Sequence, residues 1–391
     1  TLTIDSNGAR DLDDAVSIKS LAGGRWQVGI HITDVAAFIL PDSPLDLAAR
    51  RRASSIYLPE GKYPMLPGEL SEGLLSLTPG DVKPAFSFLA TIEKDGAVAE
   101  YDLGPSLIRV DRQFSFSEAD SLLDDDSDLV ELWDLAQALV ARREAAGGVN
   151  LGLPKLNVFL QPDGAVCPGL ANWDTPAKTI IGEIMILANH LAAEALHKNG
   201  YPCPFRVQDK TREAPPKNVP DGPDGALALA LALRRRIGRG GLSFKPGPHH
   251  GLGLSVYTAF TAPMRRYLDL LVARQLRSLA EDAPPAMDEQ SFMRLGLPAY
   301  ELQQRIQKMQ SRRLRYWLMV WLEDKVGREF SALVFEQNGR RLRVCLTDFM
   351  LEFDIFTPRD SDGGPDLLGK RIQMKLVAAR KGDEAPRFEV V

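Results

Sequence analysis

The chain opens on an alternation of apolar and polar positions over residues 1–5, the two-residue period of a strand. It breaks at Ser6-Asn7-Gly8, whose short polar side chains and permissive glycine suit a turn. Asp5 is thereby placed at a strand end. Residues 15–18 and 26–32 read as two further strands joined across Gly23-Gly24, so the acidic loop 10–14 is expected to be held between sheet elements. Over 178–198 the period changes. Ile180, Ile184, Leu187, Leu191 and Ala195 recur at three- and four-residue steps, predicting a helix of about five to six turns with Glu183 on its apolar face. A second helix is predicted from Thr261 as N-cap with Pro263 just inside, so that Arg265 and Arg266 fall in its opening turn and Leu268, Val272, Leu276 and Leu279 form its stripe. A third is predicted over about 300–324, with Leu302, Ile306, Met309 and Trp317 on one side.

After Lys325-Val326-Gly327 the texture shifts to short β-prone runs, 331–336, 341–346, 351–356 and 372–378, separated by turn residues. About five strands in a tail of this size suit a small OB-type barrel, too short to be a catalytic unit. Residues 1–324 mix strands with long helices and read as one large α/β (α+β) domain, followed by the all-β barrel at 325–391. No internal repeat or low-complexity linker interrupts this division.

Composition narrows the class. The chain has 391 residues, 45% hydrophobic and 25% charged, which are ordinary globular values and exclude a disulfide scaffold or a coiled-coil rod. No apolar run is expected to reach the roughly 20 residues of a membrane-spanning helix, so no membrane partner is expected. Residue 1 is Thr and no charged-then-apolar leader follows, so export is not expected and a segment upstream is. Cys167, Cys203 and Cys345 are far apart and form no C-x-x-C pair, which favours a reducing, cytoplasmic setting over disulfides or a zinc ribbon. The net charge of −5 counts against a polyanion partner, yet base is gathered at 50–52, 234–239, 265–266 and 312–315, and acid at 11–14 and 124–128. Each run alone is a solvated helix face; together they keep nucleic acid in play.

Asp5, Asp11, Asp13 and Asp14 place four carboxylates within ten positions. Crowding like charges on a sheltered loop is unfavourable unless cations neutralise them, and hard oxygen donors without His or Cys select Mg²⁺ or Mn²⁺ over zinc. One or two ions are expected. An EF-hand does not fit, because its D-x-[DN]-x-[DN]-G-x₅-E loop is absent. By itself D-x-D-D is more often a surface acidic loop.

The longer phrase alters that balance. A strand ending in Asp5 and followed six residues later by Asp11-Leu12-Asp13-Asp14-Ala15 resembles the first signature of the ribonuclease II (RNB-domain) family of 3′→5′ exoribonucleases. His31-Ile32-Thr33-Asp34-Val35 is similar to the family's next strand. Ala53-Ser54-Ser55-Ile56-Tyr57-Leu58-Pro59, with Pro64-Met65-Leu66-Pro67-Gly68-Glu69-Leu70-Ser71, resembles its most recognisable loop. Ile181-Gly182-Glu183-Ile184-Met185-Ile186-Leu187-Ala188-Asn189 and Phe260-Thr261-Ala262-Pro263-Met264-Arg265-Arg266-Tyr267-Leu268-Asp269-Leu270 are similar to two helical signatures. The blocks keep their order across about 270 residues, and the trailing barrel is similar to the family's own.

The resemblance implies an RNB catalytic domain with an OB-fold RNA-binding barrel, hydrolysing single-stranded RNA processively from its 3′ end with Mg²⁺ and releasing nucleoside 5′-monophosphates. It implies a metal site at Asp5, Asp11, Asp13 and Asp14, with Asp13 tied mainly to the chemical step and Arg265 clamping transition-state charge beside it. RNA contacts are implied at Tyr57 as a base-stacking surface, Glu183 on a ribose 2′-OH, and Arg265 and Arg266 on phosphate. Phe116 stands where relatives often carry Tyr. Plainer readings stand beside these: Arg265 paired with an acid such as Asp269, Tyr57 at a core edge, Glu183 partnered by an arginine. A monomer is the expectation. The competing functions are a catalytically silent RNA-binding protein of the same fold and a metal-dependent phosphodiesterase acting on small molecules.

Overall fold

The computed structural model describes residues 1–171, 174–210, 216, 219–238, 240–356, 366–382 and 385–391. Arg239, the last of the basic run at 234–239, lies outside the described residues.

β1 (Leu2–Asp5), β2 (Asp14–Leu21) and β3 (Arg25–Thr33) form where the alternation places them, with β2 and β3 antiparallel from Asp14↔Ile32 to Leu21↔Arg25. Gly23 and Gly24 turn the chain at φ 83° and 73°, a conformation a Cβ would resist. α1 (Val35–Phe38) is capped by Asp34, and α2 (Pro44–Arg52) by Ser43 with Pro44 in its first turn. The short hairpin β4 (Ile56–Leu58) and β5 (Gly61–Tyr63) precedes one π-helical turn over Glu69–Leu74. The long hairpin β6 (Val82–Ile92) and β7 (Val98–Arg109) then leads to β8 (Arg112–Ser115), which lies parallel to β1 with Ser115 opposite Asp5. The resulting sheet has the order β7-β6-β3-β2-β1-β8.

Helices cover this sheet. α3 (Phe116–Ser121) starts at a reciprocal cap between Ser115 and Glu118, and α4 (Ser127–Ala145) is capped by Asp126. Beyond the hairpin β9 (Lys155–Leu160) and β10 (Val166–Ala171) comes α5 (Pro176–Lys198), whose Ile180, Ile184, Leu187 and Leu191 are all buried as its period predicts. By length and composition α5 is apolar enough to cross a membrane, which corrects the expectation that no segment is; 61% of its apolar window is buried, and its apolar stripe lies in the main core. β11 (Phe205–Gln208), α6 (Pro223–Arg236) and β12 (Gly240–Ser243) follow, β11 and β12 pairing antiparallel.

α7 (Tyr267–Ala280) begins six residues later than Thr261. Residues 262–266 instead form a turn in which Arg265 and Arg266 both donate backbone N–H groups to Ala262 O, and Arg266 is extended at φ −139°, ψ 118° to bridge to Ser54. Asp269, in the first turn of α7, reaches back to accept from Ala262 N at 3.1 Å and ties the turn to the helix, whose N-cap is Arg266 with no side-chain cap. α8 (Glu289–Glu323) is longer than its sequence signal, running through Pro298 for 35 residues, about 50 Å.

The tail is β13 (Glu329–Asn338), β14 (Arg341–Leu346), β15 (Leu351–Phe356), β16 (Arg371–Ala378) and β17 (Arg387–Val390), ordered β15-β14-β13-β16-β17 and antiparallel throughout. Its outer strands curl together: Phe353 and Phe388 stack at 5.1 Å and 11°. The molecule is thus an α/β domain followed by a small all-β OB-type barrel. Leu318, Met319 and Leu322 from the end of α8 contribute to the barrel's core, and Leu333, Phe335 and Cys345 pack on Ala228 and Leu231 of α6.

Candidate active site

Four elements build the site: the loop 6–13, the β4–β5 hairpin, the 262–266 turn and α8. The loop leaves β1 at Asp5 and is clamped by Ser76, whose hydroxyl donates to Arg10 O at 2.6 Å and accepts from Leu12 N at 3.0 Å. Leu12 is 1% exposed and anchors the loop on Ala15, Leu77, Ala85, Ile108 and Val110. Thr33 N donates to Asp13 O at 2.9 Å, so the sheet fixes the backbone from which Asp13 and Asp14 project.

Asp13 is met by the 262–266 turn. Arg265 Nε donates to Asp13 Oδ2 at 2.9 Å and Met264 N to Oδ1 at 3.2 Å. Asp13 is 3% exposed, whereas the Arg265 side chain is 46% exposed, so the guanidinium is anchored at one edge and open at the other. Among the described residues its Nη groups carry no hydrogen bond. The turn is yoked to the Ala53–Tyr57 segment: Ser55 N and Ser54 Oγ donate to Arg265 O, and Tyr267 N to Ala53 O. Ala53 takes a φ of 57°, strained for a residue with a Cβ.

Tyr57 and Lys62 are direct cross-strand partners in the β4–β5 hairpin, and both reach Asp11: Tyr57 OH donates to Oδ2 at 3.1 Å and Lys62 Nζ lies 2.7 Å from Oδ1. Lys62 also bonds Glu72 at 3.0 Å. α8 supports the hairpin from outside, Gln310 donating to Tyr57 O at 3.0 Å and Trp317 Nε1 and Arg313 both to Glu60. Tyr57 as a residue remains 41% exposed.

Electrostatics sort the aspartates. Burial raises Asp13 to about 6 despite Arg265, and burial with the charges of Asp13 and Asp5 raises Asp14 to about 7. Asp5 is also raised, chiefly by burial, although Ser6 N donates to it at 2.5 Å. The Asp14 carboxylate has no hydrogen-bond or ion-pair partner among the described residues. Three acids in one neighbourhood, one of them without a partner, are a donor set that fits a hard divalent cation.

The expected four-aspartate cage is nevertheless not preassembled. Among the described residues no group of three His, Cys, Asp or Glu side chains stands close enough to enclose an ion. Asp13 is turned onto Arg265 and Asp11 onto Lys62 and Tyr57, because each carboxylate takes the nearest cation or hydroxyl. Asp5 and Asp14 are the two left without a basic side chain in contact.

Glu183 is not brought to the aspartates. It is gripped by Arg143, Nε to Oε2 at 2.7 Å and Nη2 to Oε1, with both side chains nearly buried, which is the arginine partner of the plainer reading. The pair lines a cavity of about 1040 Å³ along α5 with His190 and Lys198, away from Asp13 and Arg265. Arg266 bonds Asp269 at 2.6 Å; the acid expected as a plain partner for Arg265 serves its neighbour. Phe116 packs on the core with Lys178 over its ring at 5.7 Å. Lys62, Ser76 and Met264 were not singled out from the sequence. Lys62 could have been, since a two-residue turn at Pro59-Glu60 sets Tyr57 opposite it.

Residues 1–282 match the RNB domain family, and the chain belongs to it. Among curated proteins it is similar to the Uncharacterized ribonuclease sll1290 of Synechocystis sp., 27% identical over 396 residues, covering 99% of this chain and 58% of that protein. It is also similar to Ribonuclease R of Chlamydia muridarum, 31% identical over 308 residues, covering 70% of this chain and 44% of that one. The chain therefore spans about half the length of these relatives. Among solved structures it superposes on Mycoplasma genitalium RNase R in complex with ribose methylated single-stranded RNA with a TM-score of 0.86, at 19% identity, over 100% of this chain and 70% of that one.

Proposed function

We propose that this chain is the catalytic part of a hydrolytic 3′→5′ exoribonuclease that degrades single-stranded RNA processively to nucleoside 5′-monophosphates. The observation that carries the reading is the Asp13–Arg265 contact: a buried carboxylate steadies Nε of a guanidinium whose Nη groups stay open to solvent. An open guanidinium fork suits two oxygens of a phosphodiester and the charge that builds on them in the transition state. The RNB family and the ribonuclease names among its relatives support the reaction class.

Asp5 and Asp14, with Asp11 and Asp13 once their present partners yield, would hold one or two Mg²⁺ or Mn²⁺ ions. Such ions lower the pKa of attacking water and stabilise the departing oxygen. The protein's own share is positional. Tyr57 offers a ring for the terminal base, Arg265 holds the phosphate it flanks, and water adds to phosphorus as the bond to the 3′ oxygen breaks, leaving the phosphate on the 5′ carbon of the released nucleotide. The barrel at 325–391 supplies an outer grip on the strand. The reading places the protein in a reducing, cytoplasmic setting, the default for three cysteines far apart in sequence without a C-x-x-C pair.

Chromatography of products from single-stranded RNA incubated with Mg²⁺ tests this. Nucleoside 5′-monophosphates accumulating from the first time point support it. Nucleoside 3′-monophosphates, or turnover of short phosphodiesters without dependence on chain length, contradict it.

A further inference from the structure

One residue beyond Arg265, the chain enters a second polar cluster. Arg206 on β11 holds its guanidinium carbon 4.7 Å from the centre of the Tyr300 ring on α8. Its backbone N–H donates to Tyr257 O at 2.7 Å, pinning β11 against the segment before the 262–266 turn. Tyr257 OH accepts from Asn189 Nδ2 at 3.2 Å, and its ring meets His249 edge-on at 5.5 Å. Asp269, 0% exposed, is the acid of the cluster and is already bonded to Arg266 and to Ala262 N.

The cluster holds polar groups with no partner. Among the described residues the half-buried guanidinium of Arg206 makes no hydrogen bond and no ion pair. Arg266 Nε and His249 Nδ1 are buried without a partner, as is Asp269 Oδ1. The charges of Asp269 and Arg266 both act on Arg206, and that of Arg206 acts on His249, so these groups share one neighbourhood. Two guanidinium groups against one carboxylate leave a net positive charge in a low-dielectric setting, which selects an anion rich in acceptor oxygens. Tyr300 fixes the plane of the Arg206 fork in advance, so little freedom is lost when it binds.

Two connections say which anion. Arg265 and Arg266 are adjacent, so this cluster and the Asp13 contact are separated by a single residue of backbone. α8 carries Tyr300 and, ten residues on, Gln310, which holds Tyr57 O; the segment bearing the stacking ring and the Arg206 cluster therefore both rest on one helix, at contact points about 15 Å apart along its axis.

We propose that Arg206, with Arg266 and His249, binds a backbone phosphate of the strand whose 3′ end lies at Arg265, a reading that rests on the proposed exoribonuclease function. The site sets how the strand is drawn past Tyr57, and Arg206 is its positioning residue rather than part of the chemistry.

The test is anisotropy of a labelled, ribose-methylated single strand binding the full chain without added metal, using a series in which each of the last linkages in turn is a neutral methylphosphonate. One linkage should weaken the parent about tenfold, the scale of a charge-assisted hydrogen bond. Arg206→Gln should bind the all-phosphate strand about tenfold more weakly and be indifferent to that linkage, while Arg206→Lys recovers part of the loss. Thermal melts of both variants separate misfolding from lost contact. Arg206→Gln binding as the parent does, or keeping the parent's sensitivity at every linkage, overturns the site. A parent that binds no single strand overturns the exoribonuclease reading, and this site with it.

Discussion

Arg265 Nε donates to Asp13 Oδ2 at 2.9 Å across 252 positions of sequence, joining the loop after the first strand to the turn before α7. The contact costs Arg265 one donor and leaves the fork facing outward. In the proposed reaction Arg265 acts on the phosphate and Asp13 holds it there. Arg265→Ala should therefore lower kcat by about 10²–10³, with a smaller change in KM, the scale seen when one preorganised donor to transition-state charge is removed. Arg265→Lys should not restore it, because an ammonium cannot hold Asp13 and two phosphate oxygens together. Single-turnover kinetics read both.

Among the described residues the Asp14 carboxylate has no partner, and burial with two nearby carboxylates pushes it up to about 7. An ionised Asp14 is thus a cost to the fold in the absence of a cation. At about pH 8, Asp14→Asn should raise stability by at least on the order of 1 kcal/mol, and Mg²⁺ should stabilise the parent but not the variant. Chemical denaturation with and without Mg²⁺ measures this; equal responses to the ion would remove Asp14 from the donor set.

Tyr57 bonds Asp11 through its hydroxyl while the residue stays exposed. Tyr57→Phe should bind single-stranded RNA nearly as the parent does. Tyr57→Ala should lose about 1–3 kcal/mol whatever the terminal base. Equilibrium binding to strands differing only at the 3′ base distinguishes a stacking surface from a structural tyrosine, for which Phe and Ala would behave alike.

Much of the fold was legible because its period is local. The alternation of 1–5, the glycine pair at 23–24 and the stripe of α5 depend on neighbours in sequence, and all formed within a few residues of their expected places. What failed was set by contacts from afar. Thr261 looks like a cap, but Asp269 takes Ala262 N and Arg266 pairs with Ser54, so α7 starts at Tyr267. The aspartate loop was visible as crowded charge, yet the cations that engage it, Lys62 and Arg265, come from a hairpin and a turn whose docking no periodicity reports.

Glu183 shows the same limit. Its place on an apolar face demanded a partner, and Arg143 supplies it from α4. Glu183→Gln strands a buried guanidinium and should destabilise the chain by about 3–5 kcal/mol, while discrimination between RNA and DNA persists. Denaturation midpoints and paired RNA and DNA binding curves check it; loss of discrimination without loss of stability would restore the ribose contact.

His31 lies between Ser17 and Ser87, 3.1 Å from one hydroxyl and 2.7 Å from the other, and burial lowers it to about 4. Above its ordinary value of about 6.5 neither the folded nor the unfolded chain protonates it, so it adds no pH dependence. As pH falls from there toward 4 the unfolded chain takes up a proton that the folded one refuses, and stability declines by up to about 3 kcal/mol. Asp13 and Asp14, held above their ordinary values, contribute the opposite slope over the same range, so the His31 share is read as a difference: in urea melts at several pH values His31→Gln should gain stability relative to the parent as pH falls, and a constant difference would contradict it.

The most direct test of the account is a time course on 5′-end-labelled single-stranded RNA, resolved on a denaturing gel, for the parent and for Asp13→Asn, each with Mg²⁺ and with chelator. The parent with Mg²⁺ should shorten the strand from its 3′ end to a small terminal stub. Chelator and Asp13→Asn should each stop this while the variant still binds the strand. Undiminished degradation by Asp13→Asn, or cuts appearing first inside the strand, would contradict it.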